Sequence, residues 1–318
     1  EQSWLEQRNY LRAAMDCLSG ELHQEAENRL AALVPKKPDQ QNYEPISDFQ
    51  RPLKLGRFLV TIDQQFGCLT RLEIEGKSLA GPNHPLGKFW YETFSAADYG
   101  RFHRQYNVNK RETWFWAIPD FTKPGIENAG NEHKLFLPHQ TWAGLRRDGD
   151  ADRLLLLFDM PQESWQVYGA PKKLSLGISG CQQSAELKFL LQWFDKPASR
   201  LPEAIWFSFE PKVKQPREWK MDKLGQWISP YEVIRNGNRH LHAVGDNGLA
   251  LDNESEKLSI QSADAALVAP GQPSLLDFNN RQPNLSKGIH FNLYNNLWGT
   301  NFPMWYEEDA LFRFTLKV

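Results

Sequence analysis

Cysteine is scarce, and neither sign of charge dominates. Of 318 residues only three are cysteine, Cys17, Cys68 and Cys181, spaced far apart. Such spacing offers no disulfide framework and no zinc-binding pattern, and the odd count points to reduced, structural thiols. The 37 basic and 39 acidic residues are interspersed and leave a net charge of −2. That balance argues against a nucleic-acid surface or a polybasic membrane patch, so neither nucleic acid nor membrane is an expected partner. No apolar run is long enough to cross a bilayer, and no signal peptide is recognisable. A cytoplasmic location is therefore the expectation. Phosphate loops, dinucleotide fingerprints, nucleophile elbows and zinc-binding helix motifs are all missing. The chain opens at Glu1 without a methionine, which reads as a processed product or a piece of something longer.

Aromatic residues, by contrast, are plentiful: 13% of the chain, with 12 tryptophans. They suit a Trp-rich β core, and they equally suit carbohydrate binding, where flat rings meet the apolar faces of sugars. With 41% hydrophobic residues the chain can bury a sizeable core.

Residues 1–34 read as two amphipathic helices. Trp4, Leu11, Met15 and Leu18 fall at helical spacing, and Leu22, Ala26, Leu30 and Leu33 repeat it after a break at Ser19-Gly20. Pro35 to Pro38 ends the second helix. From about Leu53 the pattern becomes β-rich. "GRFLVTID" and "CLTRLEIEG" read as a hairpin, and "LFRFTLKV" alternates with Phe312, Phe314, Leu316 and Val318 on one face. Many strands and few helices predict a mainly β chain, a large antiparallel supersandwich over 53–318 preceded by a helical segment and linker over 1–52. Residues 80–145 and 270–305 resist the pattern, being rich in Pro, Gly and aromatics without periodicity. Such long irregular stretches are usually functional or interface-forming.

His240 and His242 in "GNRHLHA" have the spacing of half a metal site but no evident partner pair. Glu307, Glu308 and Asp309 are consecutive, so they cannot supply the separated carboxylates of glycoside hydrolysis. The most informative string is "NLYNNLWGTNFP", in which asparagines alternate with large aromatics and Gly299 permits a bend. It can pin its own backbone through Asx-type bonds, or present amides and an indole to a polyhydroxylated ligand.

Three segments carry a resemblance. "EAIWFSFEP", "QWISPYEVIRNGNRHLHAVGDNGLALDNESEKLSI" and "LYNNLWGTNFP" followed by "FRFTL" resemble the C-terminal β-sandwich of glycoside hydrolase family 38 α-mannosidases and their relatives. "FWYETFSAADYGRF" and "WAIPDFTKPG" resemble an uncharacterised branch of them. The resemblance implies a galactose mutarotase-like supersandwich, with the two helices ending a bundle that follows a catalytic barrel. It also implies that the zinc ligands and nucleophilic aspartate of that family lie in an upstream domain that no part of this chain matches. No catalytic residue, metal ligand or cofactor is therefore expected here, although zinc or another divalent metal is expected in the upstream domain. The expected partners are carbohydrate and that domain. Asn295, Asn296, Trp298, Asn301, Trp305 and Glu307 are the candidates for carbohydrate or interdomain contact. Two alternatives stand beside this reading: a freestanding carbohydrate-binding module, and a mutarotase-like epimerase or lyase using a His or Tyr as base.

Overall fold

The structure, a computed structural model, describes residues 2–299 and 303–318. The chain divides into two compact units, 1–38 and 39–318. The first holds α1 (Gln2–Asp16) and α2 (Gly20–Ala32), the two helices expected from the 3.6-residue spacing. A ring nitrogen of His23 on α2 meets the Met15 carbonyl of α1 at 3.0 Å and ties the pair together.

The second unit is the antiparallel sandwich. Among the described residues it contains two ten-stranded sheets. The first sheet places the last strand of the chain, Ala310–Lys317, in its interior, between Glu186–Phe194 and Lys257–Ser262. The alternation legible in "LFRFTL" is realised there: Phe312, Phe314 and Leu316 are buried while Arg313 pairs with Asp264 at the surface. The second sheet runs outward on both sides of Glu203–Phe209, which lies between Leu86–Thr93 and Ile289–Asn295. The predicted hairpin is present as Phe58–Ile62 paired with Leu69–Ile74.

Between the sheets lies the main core, where Phe207, Phe209, Phe291 and Phe314 meet edge-on or tilted, with centroids 4.9–6.1 Å apart. Each such ring contributes roughly 1.5–3 kcal/mol by leaving water.

The irregular segment 80–145 proves to contain two helices, α3 (Ala96–Tyr106) and α4 (Lys110–Phe121). The local signals for α3 are physical. Ser95 and Asp98 form a reciprocal capping box, and Tyr99, Phe102 and Tyr106 recur on one helical face. On α4 the aromatics lie all round and Pro119 sits inside, so no period marks it. Tyr99 and Phe102 pack with Trp206, Ala204, Leu276 and Leu297 into a second, smaller core on the outer face of the second sheet. The strand Glu203–Phe209 is consequently buried on both faces, which is why "EAIWFSF" reads as a continuous apolar run rather than an alternating one. No helix among the described residues is long and apolar enough to cross a membrane.

Candidate functional site

α3 links two chemically different places. Its N-terminal end holds an acid cluster. Asp98 takes the Ser95 backbone N–H at 2.8 Å and faces His133 Nδ1 at 3.1 Å. The other imidazole nitrogen of His133 lies 3.4 Å from Glu92 on the second sheet, and Trp206 Nε1 donates to Glu92 at 2.8 Å. Burial pushes the Glu92 carboxyl up to about 7, against the pull of Trp206 and His133. The Asp98 hydrogen bond raises the His133 imidazole above its ordinary value. Asp98 itself, though burial works the other way, is held well below the usual carboxylate range by His133 and Ser95. Each imidazole nitrogen faces a buried carboxylate, so the cluster braces α3 onto the sheet.

The C-terminal end of α3 opens onto a cavity of about 490 Å³ between α3, α4 and the loop around Phe278. Its aromatic wall is continuous. Phe102 stacks on Tyr106 at 5.4 Å and 9°, and Tyr106 meets Phe121 and Phe278 edge-on at 5.3 and 5.1 Å. Trp116 lies against Phe121 at 6.1 Å. Gln105, also in the lining, holds the Phe278 loop: its Nε2 donates to Asp277 at 2.7 Å and its Oε1 accepts the Phe278 N–H at 2.8 Å. Asn236 and Asn280 close the rim through a reciprocal pair of bonds at 2.7 and 2.9 Å. Asn236 sits in the left-handed region with φ 65°, which asparagine tolerates better than most residues. None of the residues lining the cavity carries a formal charge at neutral pH. Trp116 and Tyr106 remain 45% and 42% exposed, so their faces are available to a ligand. Such a lining can stack and exchange hydrogen bonds.

Of the six residues singled out from the sequence, none of the five that are described lines this cavity. Trp298 is half-buried and packs on Phe102 at 5.2 Å, one layer behind the aromatic wall. The adjoining Gly299 N–H donates to the Asp120 carbonyl at 3.0 Å, and a Cβ there would stand 2.1 Å from the Pro119 carbonyl oxygen. The Asn/Trp string therefore buttresses the end of α4. Asn296 is buried and its amide is fully engaged: Oδ1 accepts the Glu203 N–H at 2.8 Å, and Nδ2 donates to the carbonyls of Ser199, Leu201 and Met304 at 2.9–3.1 Å. Asn295 donates to Asn292 at 2.7 Å. Trp305 lies under the Arg200 guanidinium, 4.7 Å from the ring centroid, and Glu307 is exposed. Asn301 lies outside the described residues. His240 and His242 part company: a ring nitrogen of His240 bonds Asn279 at 3.1 Å, while His242 pairs by its backbone with Val268. Tyr106, Trp116, Phe121 and Phe278, the rings of the wall, escaped the sequence reading. The flagged irregular stretches contain them all, and the capping box of α3 was the signal that could have separated them.

A third polar group lies inside the main sandwich. Lys196 and Glu203, both with essentially no exposed side chain, pair at 2.7 Å; Tyr91 donates to Glu203 at 2.6 Å, and Lys196 also donates to the Gly169 carbonyl at 2.8 Å. Burial raises the Glu203 carboxyl to about 7 in spite of Lys196, and burial lowers the Lys196 amine in spite of Glu203.

Comparison with curated proteins gave no match. Among solved structures, an α-mannosidase from Enterococcus faecalis superposes with a TM-score of 0.48 at 8% identity, over 86% of this chain and 30% of that one. The present chain thus spans less than a third of that protein's length. A galactose mutarotase-like protein from Clostridium acetobutylicum superposes with a TM-score of 0.46 at 9% identity, over 86% of this chain and 97% of that one. A family model described as a domain of unknown function, DUF5054, matches residues 1–187, more than half of the sequence, and the chain belongs to that family.

Proposed function

We propose that this chain binds a neutral carbohydrate in the cavity at the C-terminal end of α3, as the C-terminal β-sandwich region of a family 38-like glycoside hydrolase. The observation that carries the binding is the cavity lining: a wall of rings together with side-chain amides, with no formal charge. Rings cover the apolar faces of a pyranose, and amides donate to and accept from its hydroxyls. The volume of about 490 Å³ falls in the ordinary range for small-molecule sites. On this reading catalysis, with zinc or another divalent metal, belongs to an upstream domain of the same protein, and the present chain supports it and holds part of the sugar.

Calorimetric titration of the chain with a panel of neutral disaccharides, mannobiose among them, tests the binding. Trp116→Ala should weaken it about tenfold or more, equivalent to about 1.4 kcal/mol, while the melting temperature holds because the indole is 45% exposed. Equal binding by the variant, or no binding across the panel, sinks the reading.

A second reading, a mutarotase-like epimerase or lyase, draws on His133 between Asp98 and Glu92. Turnover of a sugar substrate that His133→Ala abolishes in a folded chain would favour it over the binding module.

A further inference from the structure

A second cavity, of about 380 Å³, opens among elements of both sheets, far in sequence from α3 and α4. Its walls come from the turn and strand at 76–79, the segment 212–214 and the turn at 255–258, with Val318 beside them. The floor is apolar. Leu79 and Leu258 belong to the main core, 7% and 4% exposed, and Val213 and Val318 pack against that same core. The rim is cationic, with Lys77, Lys212, Lys214 and Lys257 all lining the opening and all exposed.

The opposing charge is small. Glu256 also lines the cavity, and one of its carboxylate oxygens accepts the Lys214 backbone N–H at 2.8 Å. Lys257 lies 3.4 Å from Asp252, a loose pair at the surface. Among the described residues Lys77, Lys212 and Lys214 have no carboxylate within ion-pairing distance. Lysines on exposed turns often serve only to discourage edge-to-edge association. Here they surround one opening whose bottom is core. Low-dielectric walls of one sign focus the field on whatever enters, and an apolar body that fills the floor gains the free energy of leaving water. Lysine, a compact cation on a flexible stem, suits an anionic head group of any geometry.

We propose that this cavity binds a small amphipathic anion, an apolar body carrying a phosphate, sulfate or carboxylate group. The body lies over Leu79, Val213 and Leu258, and the head group sits among Lys77, Lys212 and Lys214. The site is separate from the sugar-binding cavity and does not depend on it.

The experiment follows the methyl resonances of Leu79, Val213 and Leu258 in the full 318-residue chain during titration with 2-naphthyl phosphate, 2-naphthyl sulfate and 2-naphthoate. Saturable shifts at these methyls are expected with at least one of the three, and the tightest names the head group. The double variant Lys212→Gln/Lys214→Gln should bind that probe about tenfold more weakly, as should the wild type when salt is raised well above physiological strength. Both lysines are exposed, so the variant keeps its fold; Lys77→Gln alone provides the independent check. No saturable shift with any probe overturns the site. Equal binding by the variants, or by uncharged 2-naphthol, overturns the role of the lysines. Equal shifts from inorganic phosphate overturn the role of the apolar floor.

Discussion

Replacing Lys196 by methionine isolates the most consequential charge in the sandwich. The side chain is wholly buried, 2.7 Å from Glu203, with a second bond to the Gly169 carbonyl. Methionine fills much of the same volume, so the loss is electrostatic rather than a cavity. It leaves a buried carboxyl with the Tyr91 hydroxyl but without its cation. Removing one partner of a buried pair costs about 3–5 kcal/mol. The cost should depend on pH, and the sign follows from Glu203. Burial already raises its folded carboxyl to about 7, above the unfolded value near 4.3, and losing Lys196 raises it further. A raised acid contributes stability that is fully present below the unfolded pKa and is lost as pH rises through the folded one. The deficit of Lys196→Met should therefore be largest near pH 8 and shrink towards pH 5, where Glu203 is protonated in the folded state. Urea denaturation followed by tryptophan fluorescence at both pH values measures it. Lys196→Met/Glu203→Gln should recover much of the loss at pH 8, because no charge is then stranded. A deficit equal at the two pH values, or below about 1 kcal/mol at pH 8, would refute the claim that this pair is buried and isolated from water.

Asn296→Ala strips four hydrogen bonds at once and leaves the buried Glu203 N–H without its acceptor; a loss of about 2–4 kcal/mol is expected in the same denaturation assay, and a change under about 1 kcal/mol would contradict the pinning role. Because the Asp98 bond raises the His133 imidazole, an NMR titration should place its midpoint above the ordinary 6.5, and Asp98→Asn should bring it down. The stability carried by that His133–Asp98 contact is greatest between the unfolded values of the two groups, about 3.9 and 6.5; it is lost as pH rises through the folded His133 midpoint and as pH falls through the folded Asp98 one.

Much of the architecture was already written in local patterns. Period-two alternation in "LFRFTL" places Phe312, Phe314 and Leu316 on the core face because successive strand residues must point to opposite sides, whatever the partner strands are. The two N-terminal helices follow from 3.6-residue spacing in the same way. The Asn/Trp string stood out by composition, since amides and indoles at such density need partners. Which partners they take is a tertiary matter. Asn296 is spent on the backbone of 199–203 and on Met304, and Trp298 on Phe102 from a helix nearly two hundred positions earlier. The ring wall escaped the sequence reading for the same reason. Tyr106, Phe121 and Phe278 become neighbours only when α3 and α4 cover the outer face of the second sheet and the loop at 278 folds back onto them. The lysine-rimmed cavity likewise joins residues 76–79, 212–214 and 255–258, which no spacing rule connects. Side-chain periodicity is a property of one element and is legible along the chain. A cavity is the space left between elements, and only their packing decides what lines it.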